Sequence, residues 1–397
     1  MFDEIVFSRP FRAPGELANL EAVLASDHSH GDGAFTERAT GRLKELTGAS
    51  DALLTTSCTH ALEMAMLLLE VRPGDEVVLP SFTFTSAATA VVARGATPVF
   101  VDIEGASGNL DVQQVAEALT PRTKAVIAMH YGGAAVDLDA LLSVTASSGV
   151  ALVEDNAHGF GGTAGGHRLG TAGVLGTQSF HDTKNVHCGE GGALLVNDPA
   201  LWERAEIVRE KGTNRARFLR GQVDKYTWQD EGSSYLPSEL NAAVLDAQLA
   251  AFGEIQKRRL RVWNAYAAGL ADWAAPRGIG LVSDTAGLEH SAHLFYLVMP
   301  DHESRQGLID HLRGLGVRAA FHYVPLDSSP AGRRFGRTST SRELDRTAAF
   351  SSRLVRLPLW AGLTDAQVER VVQGVRAFEP VGAGFARTTV STRTSRT

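Results

Sequence analysis

The stretch SFHDTKNVHCGEGG (179–192) holds Lys184 in a turn, five residues after Ser179, with His181 and His187 on either side and Gly189, Gly191 and Gly192 close behind. A lysine in a loop is ordinarily a solvated charge. It becomes a reagent when its amine can take an aldehyde as a Schiff base and afterwards carry protons. Upstream by 29 residues, VALVEDNAHG (150–159) ends an apolar strand pattern in the adjacent acids Glu154 and Asp155. A carboxylate at a strand end is costly unless a cation meets it. The pyridinium nitrogen of pyridoxal phosphate is such a cation, and its acid partner keeps the ring protonated as an electron sink. Standing alone, Asp155 would be an ordinary helix N-cap.

Two further stretches belong with these. In TSCTHALEMA (56–65) a strand gives way to a helix through Ser57, Cys58 and Thr59. Such a junction offers free backbone N–H groups, a positive dipole end and a hydroxyl, which suit a phosphate. A plain Ser/Thr cap is the simpler account, and His60 reads as a first-turn surface residue. In LPSFTFTSAA (79–88), Phe84 is either a ring that stacks on a flat cofactor or a core residue. Ser179, at a strand end, is placed to give a hydroxyl to a phosphate. Phosphate turn, aromatic, acid, serine and lysine thus follow one another in order. The spacing of His181, His187 and Cys188 matches no standard metal-ligand set, so no metal is expected.

These residues need a scaffold that gathers strand ends. Apolar runs at 51–56, 75–80, 97–103, 124–131, 150–155, 176–181 and 191–197 alternate with helical patterns such as 59–71 and 111–119. That alternation predicts an α/β fold with a mainly parallel seven-stranded sheet covered on both faces, and ligands at the carboxyl ends of the strands. After about residue 250 the rhythm changes. A long helix (251–273) leads to strand patterns at 293–300 and 317–323 and helical patterns at 303–316 and 364–378. The expected division is a large cofactor-binding domain (1–250), a smaller α+β domain (251–378) and a mobile, Gly/Thr/Ser/Arg-rich tail (379–397).

The 397-residue chain carries a net charge of −7, which argues against nucleic acid or an anionic membrane as the main partner. Two distant cysteines, Cys58 and Cys188, an acidic start and no long apolar run point to the cytoplasm.

The segments VEDNAHG, SFHDTKN, GEGGALLVN and PSFTFTS resemble the signatures of the DegT/StrS family of pyridoxal-phosphate sugar aminotransferases, a fold-type I group. HYVPL (322–326) resembles the family's late substrate-loop motif, and the likeness runs from about residue 8 to 378. Segments 31–40 and 209–240 resemble the branch that aminates C4 of TDP-4-keto-6-deoxyglucose, with members in enterobacterial-antigen and calicheamicin-type antibiotic pathways. The resemblance implies that Lys184 is the Schiff-base lysine and Asp155 the partner of the pyridine nitrogen. It implies that Ser179, Thr59 and the backbone of Cys58 hold the phosphate, that Phe84 lies on a ring face, and that His158 sits near the 3-oxygen. His181, His322 and Tyr323 are implied to face the substrate. It further implies a homodimer with shared sites, in which Arg215, Arg220, Lys225 and Tyr226 reach a neighbour's nucleotide diphosphate. One position departs: where many members carry an asparagine that reaches the partner's phosphate, this chain has Leu236, with Ser233 and Ser234 as substitutes. A branch with histidine in place of the lysine performs dehydration, and Lys184 excludes it.

The implied reaction is ping-pong transfer of an amino group from L-glutamate to a TDP-linked 4-keto-6-deoxyhexose. The alternatives are a 3-keto-sugar aminotransferase, a pyridoxal-dependent desulfurase or lyase, for which no mobile-loop cysteine is in view, and a regulatory protein that binds the cofactor without turnover.

Overall fold

Parallel strands covered by helices on both sides must be apolar on both faces, and the central strands obey this. The computed structural model describes residues 3–282, 289–339 and 344–380, so most of the tail 379–397 lies outside the described residues. In chain order the strands are β1 (Asp51–Thr55), β2 (Glu76–Pro80), β3 (Thr97–Val101), β4 (Thr123–Met129), β5 (Ala151–Asp155), β6 (Thr163–Ala164), β7 (His167–Arg168), β8 (Leu175–Ser179), β9 (Gly192–Val196), β10 (Gly280–Leu281), β11 (Tyr296–Val298), β12 (Arg337–Thr338) and β13 (Leu354–Arg356). The large sheet runs β1-β9-β8-β5-β4-β2-β3-β12. The first seven in that order, β1 to β3, are the seven predicted runs. The eighth, β12, is a two-residue edge strand parallel to β3 that comes back from the C-terminal part of the chain. Among the described strands of this sheet only β9 is antiparallel to its neighbours. β6 and β7 form a small hairpin.

Helix Cys58–Leu68 shows how the sequence builds the layer over the sheet. Ser57 caps it by accepting the His60 N–H at 3.1 Å. Ala61, Leu62, Met64, Ala65, Met66, Leu67 and Leu68 are buried, so the helix lies deep against the sheet.

The chain leaves the large sheet through helix Phe252–Ala274. Its buried residues Ile255, Arg259, Val262, Trp263, Tyr266, Leu270 and Trp273 recur at helical three- and four-residue spacing. This stripe packs on a second, three-stranded sheet, β10-β11-β13. The N-terminal Ile5 and the strand-end residues Phe82, Ile103, Met129 and Tyr131 join the same buried cluster as Val262, Phe295 and Val375. The two sheets therefore share apolar contacts at the strand ends, and a cavity opens there.

Residues 317–323, expected as a strand, form only single bridges, from Val317 to Ile5 and from Ala320 to Arg356. The backbone leaves the ladder after Ala320 because Phe321 gives its carbonyl to the Arg356 guanidinium, and His322 and Tyr323 line the cavity.

Candidate active site

The carboxyl ends of β1, β2, β4, β5 and β8 converge on a cavity of about 540 Å³. Cys58, Thr59, Phe84, Asp155, His158, Ser179, His181, Lys184, His322 and Tyr323 all line it. Neighbouring acids have parted roles. Glu154 is fully buried behind the site, where it accepts from His130 and from the N–H groups of Gly170, Ala172 and Gly173 at 2.7–2.9 Å. Burial would raise its pKa, but the His130 hydrogen bond and these N–H donors hold it below the ordinary carboxylate value. Among the described residues the Asp155 carboxylate accepts only the Ala157 N–H, at 3.1 Å. Burial pushes its carboxyl up, against the pull of that N–H and of Lys184. A buried acid with so few donors is ready for a cation.

Lys184 closes a turn, its N–H donating to the His181 carbonyl at 2.9 Å. Burial brings its amine down to about 8. Cys58 gives it no support at neutral pH, because burial and the charge of Asp155 push that thiol far above its ordinary range. Asp155 is the acid that stabilises the ammonium.

At the start of helix Cys58–Leu68 the N–H groups of Cys58 and Thr59 have no acceptor among the described residues. Thr59 Oγ1 and Ser86 Oγ lie 2.6 Å apart beside them. Gly192 pairs with both Thr55 and Ser179. A Cβ on Gly192 would fall 2.3–2.6 Å from the Ser57 and Cys58 backbone, so only glycine lets the strand pass this close. The orphaned N–H groups, the hydroxyls and the dipole make an anion cradle. An anion cradle, an acid short of donors and a buried amine fit the phosphate, ring nitrogen and aldehyde of pyridoxal phosphate.

Phe84 is 54% exposed at the cavity wall, whereas its neighbour Phe82 is 1% exposed, which removes the core reading of Phe84. His158 stacks on His293 with centroids 4.3 Å apart. Its Nδ1 accepts the Gly132 N–H at 3.3 Å, so in the neutral ring the proton sits on Nε2. Burial holds His158 and His293 well below the usual histidine range and brings His322 to about 2, so all three imidazoles are neutral. His322 stacks on Tyr323 at 3.8 Å.

Arg215, Arg220, Lys225 and Tyr226 are not brought to this cavity within one chain. Arg220 makes a two-point contact with Glu206 at 2.6 and 2.8 Å, and Arg215 lies 3.7 Å from Glu210. Lys225 is exposed, and Tyr226 packs on Phe218 at 5.7 Å. Arg215 and Tyr226 instead share a shallow depression with Lys211 and Leu236.

Ser86, His293 and Arg356 are among the cavity-lining residues that were not foreseen. Ser86 lies two positions beyond Phe84, in a segment already singled out, and its hydroxyl was the available signal. His293 and Arg356 carry no local signal; the second sheet and its flanking segments deliver them. Asn185, next to Lys184, donates to the Ser291 carbonyl at 2.7 Å and meets His293 Nδ1 at 3.0 Å. Arg259, buried on the long helix, donates to the carbonyls of Ala292 and His293 at 3.0 and 2.8 Å. These bonds tie the lysine turn to the C-terminal part of the chain.

Among the described residues, no group of three or more His, Cys, Asp or Glu side chains stands close enough to hold a metal, and no helix is long and apolar enough to cross a membrane.

Residues 12–376 match the sequence profile of the DegT/DnrJ/EryC1/StrS aminotransferase family. Among solved structures, the chain is similar to the aminotransferase TlmJ from Streptoalloteichus hindustanus, with 33% identity over 94% of this chain and 98% of that one and a TM-score of 0.86. DesV from S. venezuelae is 32% identical over 91% of this chain and 93% of its own, with a TM-score of 0.82. The sugar aminotransferase homologue Spr1654 from Streptococcus pneumoniae, solved in its PLP form, is 25% identical over 94% and 98% of the two chains, with a TM-score of 0.86.

Proposed function

The chain belongs to the DegT/DnrJ/EryC1/StrS family of pyridoxal-phosphate-dependent sugar aminotransferases, and from that premise we propose that it transfers an amino group from L-glutamate to C4 of a TDP-linked 4-keto-6-deoxyhexose. The observation that carries this reading is the meeting of Lys184, Asp155 and the unpartnered N–H groups of Cys58 and Thr59 around one cavity. When bound, pyridoxal phosphate supplies an aldehyde that takes up amino groups and a cationic ring that withdraws electrons.

This chain's residues divide the remaining work. The N–H groups of Cys58 and Thr59, with the hydroxyls of Thr59 and Ser179, bind the phosphate and fix the ring's position. Asp155 holds a proton at the ring nitrogen, where burial makes its charge effective. Phe84 covers one ring face and excludes water from it. His158, neutral and with its proton on Nε2, would offer that N–H to the ring's 3-oxygen. Lys184 would hold the aldehyde and is the base placed to take the proton from the donor's α-carbon. An amine already near 8 loses its proton readily enough to act as that base. In the second half the same amine moves a proton at C4 of the sugar.

We assign Arg215, Lys225 and Tyr226 to the diphosphate of the substrate in the neighbouring subunit of a homodimer, because they lie outside their own chain's cavity and offer cationic and phenolic donors. Leu236 lines the same depression as Arg215 and Tyr226, so it gives an apolar edge where other members offer an amide. The segments resembling the C4 branch support a role in making amino-deoxysugars for an antibiotic or a surface glycan.

The deciding test incubates the enzyme with L-glutamate and TDP-4-keto-6-deoxyglucose and solves the product by NMR. Nitrogen at C4 and release of 2-oxoglutarate are expected. Nitrogen at C3 of a 3-keto substrate, with no product from the 4-keto sugar, would move the assignment to the 3-amino branch. No amino sugar from either substrate would reject it.

A further inference from the structure

Arg356 is the cation in the cavity that neither the cofactor nor the lysine chemistry uses. It ends β13, so the C-terminal sheet supplies it, whereas the anion cradle comes from the helix that follows β1. The Phe321 carbonyl accepts one of its N–H groups at 3.1 Å. The Phe7 ring centre lies 4.6 Å from the guanidinium carbon, a cation–π contact. Its Nε is buried without an acceptor, and no carboxylate pairs with it among the described residues. Its positive charge acts on Lys184, His158, His293 and His322, so it stands within electrostatic reach of the reacting amine. A guanidinium withdrawn from water and left unpaired is costly, and its planar fork matches a carboxylate.

We propose that Arg356 is the receptor for a carboxylate of the amino donor. The proposal rests on the aminotransferase reading above and extends it to the donor. An amino acid that gives its amine at Lys184 carries its α-carboxylate on the very carbon that loses the proton. That carboxylate must therefore settle close to the lysine, on a wall that the cofactor's phosphate does not occupy. Arg356 is a charged group on such a wall, and its neighbours Tyr131 and Tyr323 are neutral phenols that do not compete for it. The same site would receive the carboxylate of the 2-oxo acid that leaves.

The test uses the pyridoxal-phosphate-loaded enzyme with Arg356→Gln and Arg356→Lys. Calorimetric titration with maleate, a dicarboxylate without an amine, reads the receptor apart from turnover. Stopped-flow absorbance of the cofactor reads the half-reaction with L-glutamate, and the aminated enzyme with the keto sugar reads the other half. In Arg356→Gln, maleate affinity and the glutamate half-reaction should each weaken by about 10–100-fold, the loss expected for a charge-assisted hydrogen-bonded pair. The sugar half-reaction should change much less, and Arg356→Lys should regain part of the loss. If Arg356→Gln does not reach wild-type melting and cofactor absorbance, Arg356→Lys carries the test, with a smaller loss confined to maleate and the amino acid.

Constants within threefold of wild type for maleate and glutamate would overturn the proposal. So would an equal loss in both halves, which marks a structural role, or a loss in the sugar half alone, which gives Arg356 to the sugar nucleotide's phosphates. If the wild type ignores glutamate but accepts another amino acid, the glutamate reading fails while the receptor is tested with that amino acid. A wild type that accepts no amino acid overturns both.

Discussion

Lys184 carries the account at the scale of single residues. Its amine, brought to about 8 mainly by burial, should react with pyridoxal phosphate in the cofactor-free chain at a rate that climbs through pH 8, not through the ordinary value of 10.5. The sign for stability follows from proton counting. Between about 8 and 10.5 the unfolded chain binds more protons at this site than the folded one, so the penalty is full below 8 and fades as pH rises. Urea titrations of the cofactor-free chain and of Lys184→Met should therefore show a gap that narrows from pH 7.5 to pH 9.5; a constant gap would contradict the shift. Asp155→Asn keeps the shape but removes the charge that faces the ring nitrogen. Its kcat should fall by about 10²–10³-fold in steady-state assays, the scale of losing one preorganised electrostatic group. Each of Lys184 and Asp155 has an ordinary structural reading alone; they were legible because they fall in an ordered series of strand-end segments with the phosphate turn and Ser179. Arg356 and His293 were not, since Lys184, with which they share the cavity, lies more than 100 residues earlier in the chain and nothing local marks them.

Among the elements, the strand-to-helix junction at Ser57 and the crossing strand β9 act as one device. Gly192→Ala puts a methyl against the Ser57–Cys58 backbone. The helix start must shift, and overpacking of this kind costs about 1–3 kcal/mol. Fluorescence titration should show cofactor affinity weakened by roughly tenfold or more. Unchanged affinity would mean that these N–H groups do not hold the phosphate. Glu154 holds the loop Gly170–Gly173 and His130 beneath the site. Glu154→Ala leaves those buried donors unpaired, a loss of about 3–5 kcal/mol in denaturant titration, with activity falling because the fold does. The central strands and the capped helix were legible from apolar runs and a serine cap. Residues 317–323 misled because an apolar stretch with β-type residues looks alike whether it pairs or turns into a cavity. Hydrogen bonding from Arg356, invisible locally, decided it.

For the whole molecule, the large sheet and the C-terminal sheet share one buried cluster at the strand ends, so the cavity needs both. The return of β12 to the large sheet is another long-range feature that no local pattern announces. Exposed Trp228 (81%) and Leu219 (60%) lie in the same stretch as Arg215, Lys225 and Tyr226, and they fit burial against a second copy. The proposed homodimer makes a direct demand on mixed subunits. Lys184→Ala and Arg215→Ala enzymes, each nearly inactive, should on mixing and re-association recover up to roughly a quarter of wild-type activity, because half of the dimers then carry one intact site. No recovery, with dimers verified by light scattering, would place Arg215 outside the neighbour's site.

The claim beneath all of this is that the amine of Lys184 bonds covalently to pyridoxal phosphate. Borohydride reduction of the loaded enzyme, followed by proteolysis and mass spectrometry, tests it most directly. A pyridoxyl adduct on Lys184, within the peptide 179–192, is expected, and none in Lys184→Ala. An adduct on another lysine, or no adduct from an enzyme that binds the cofactor, would contradict the assignment.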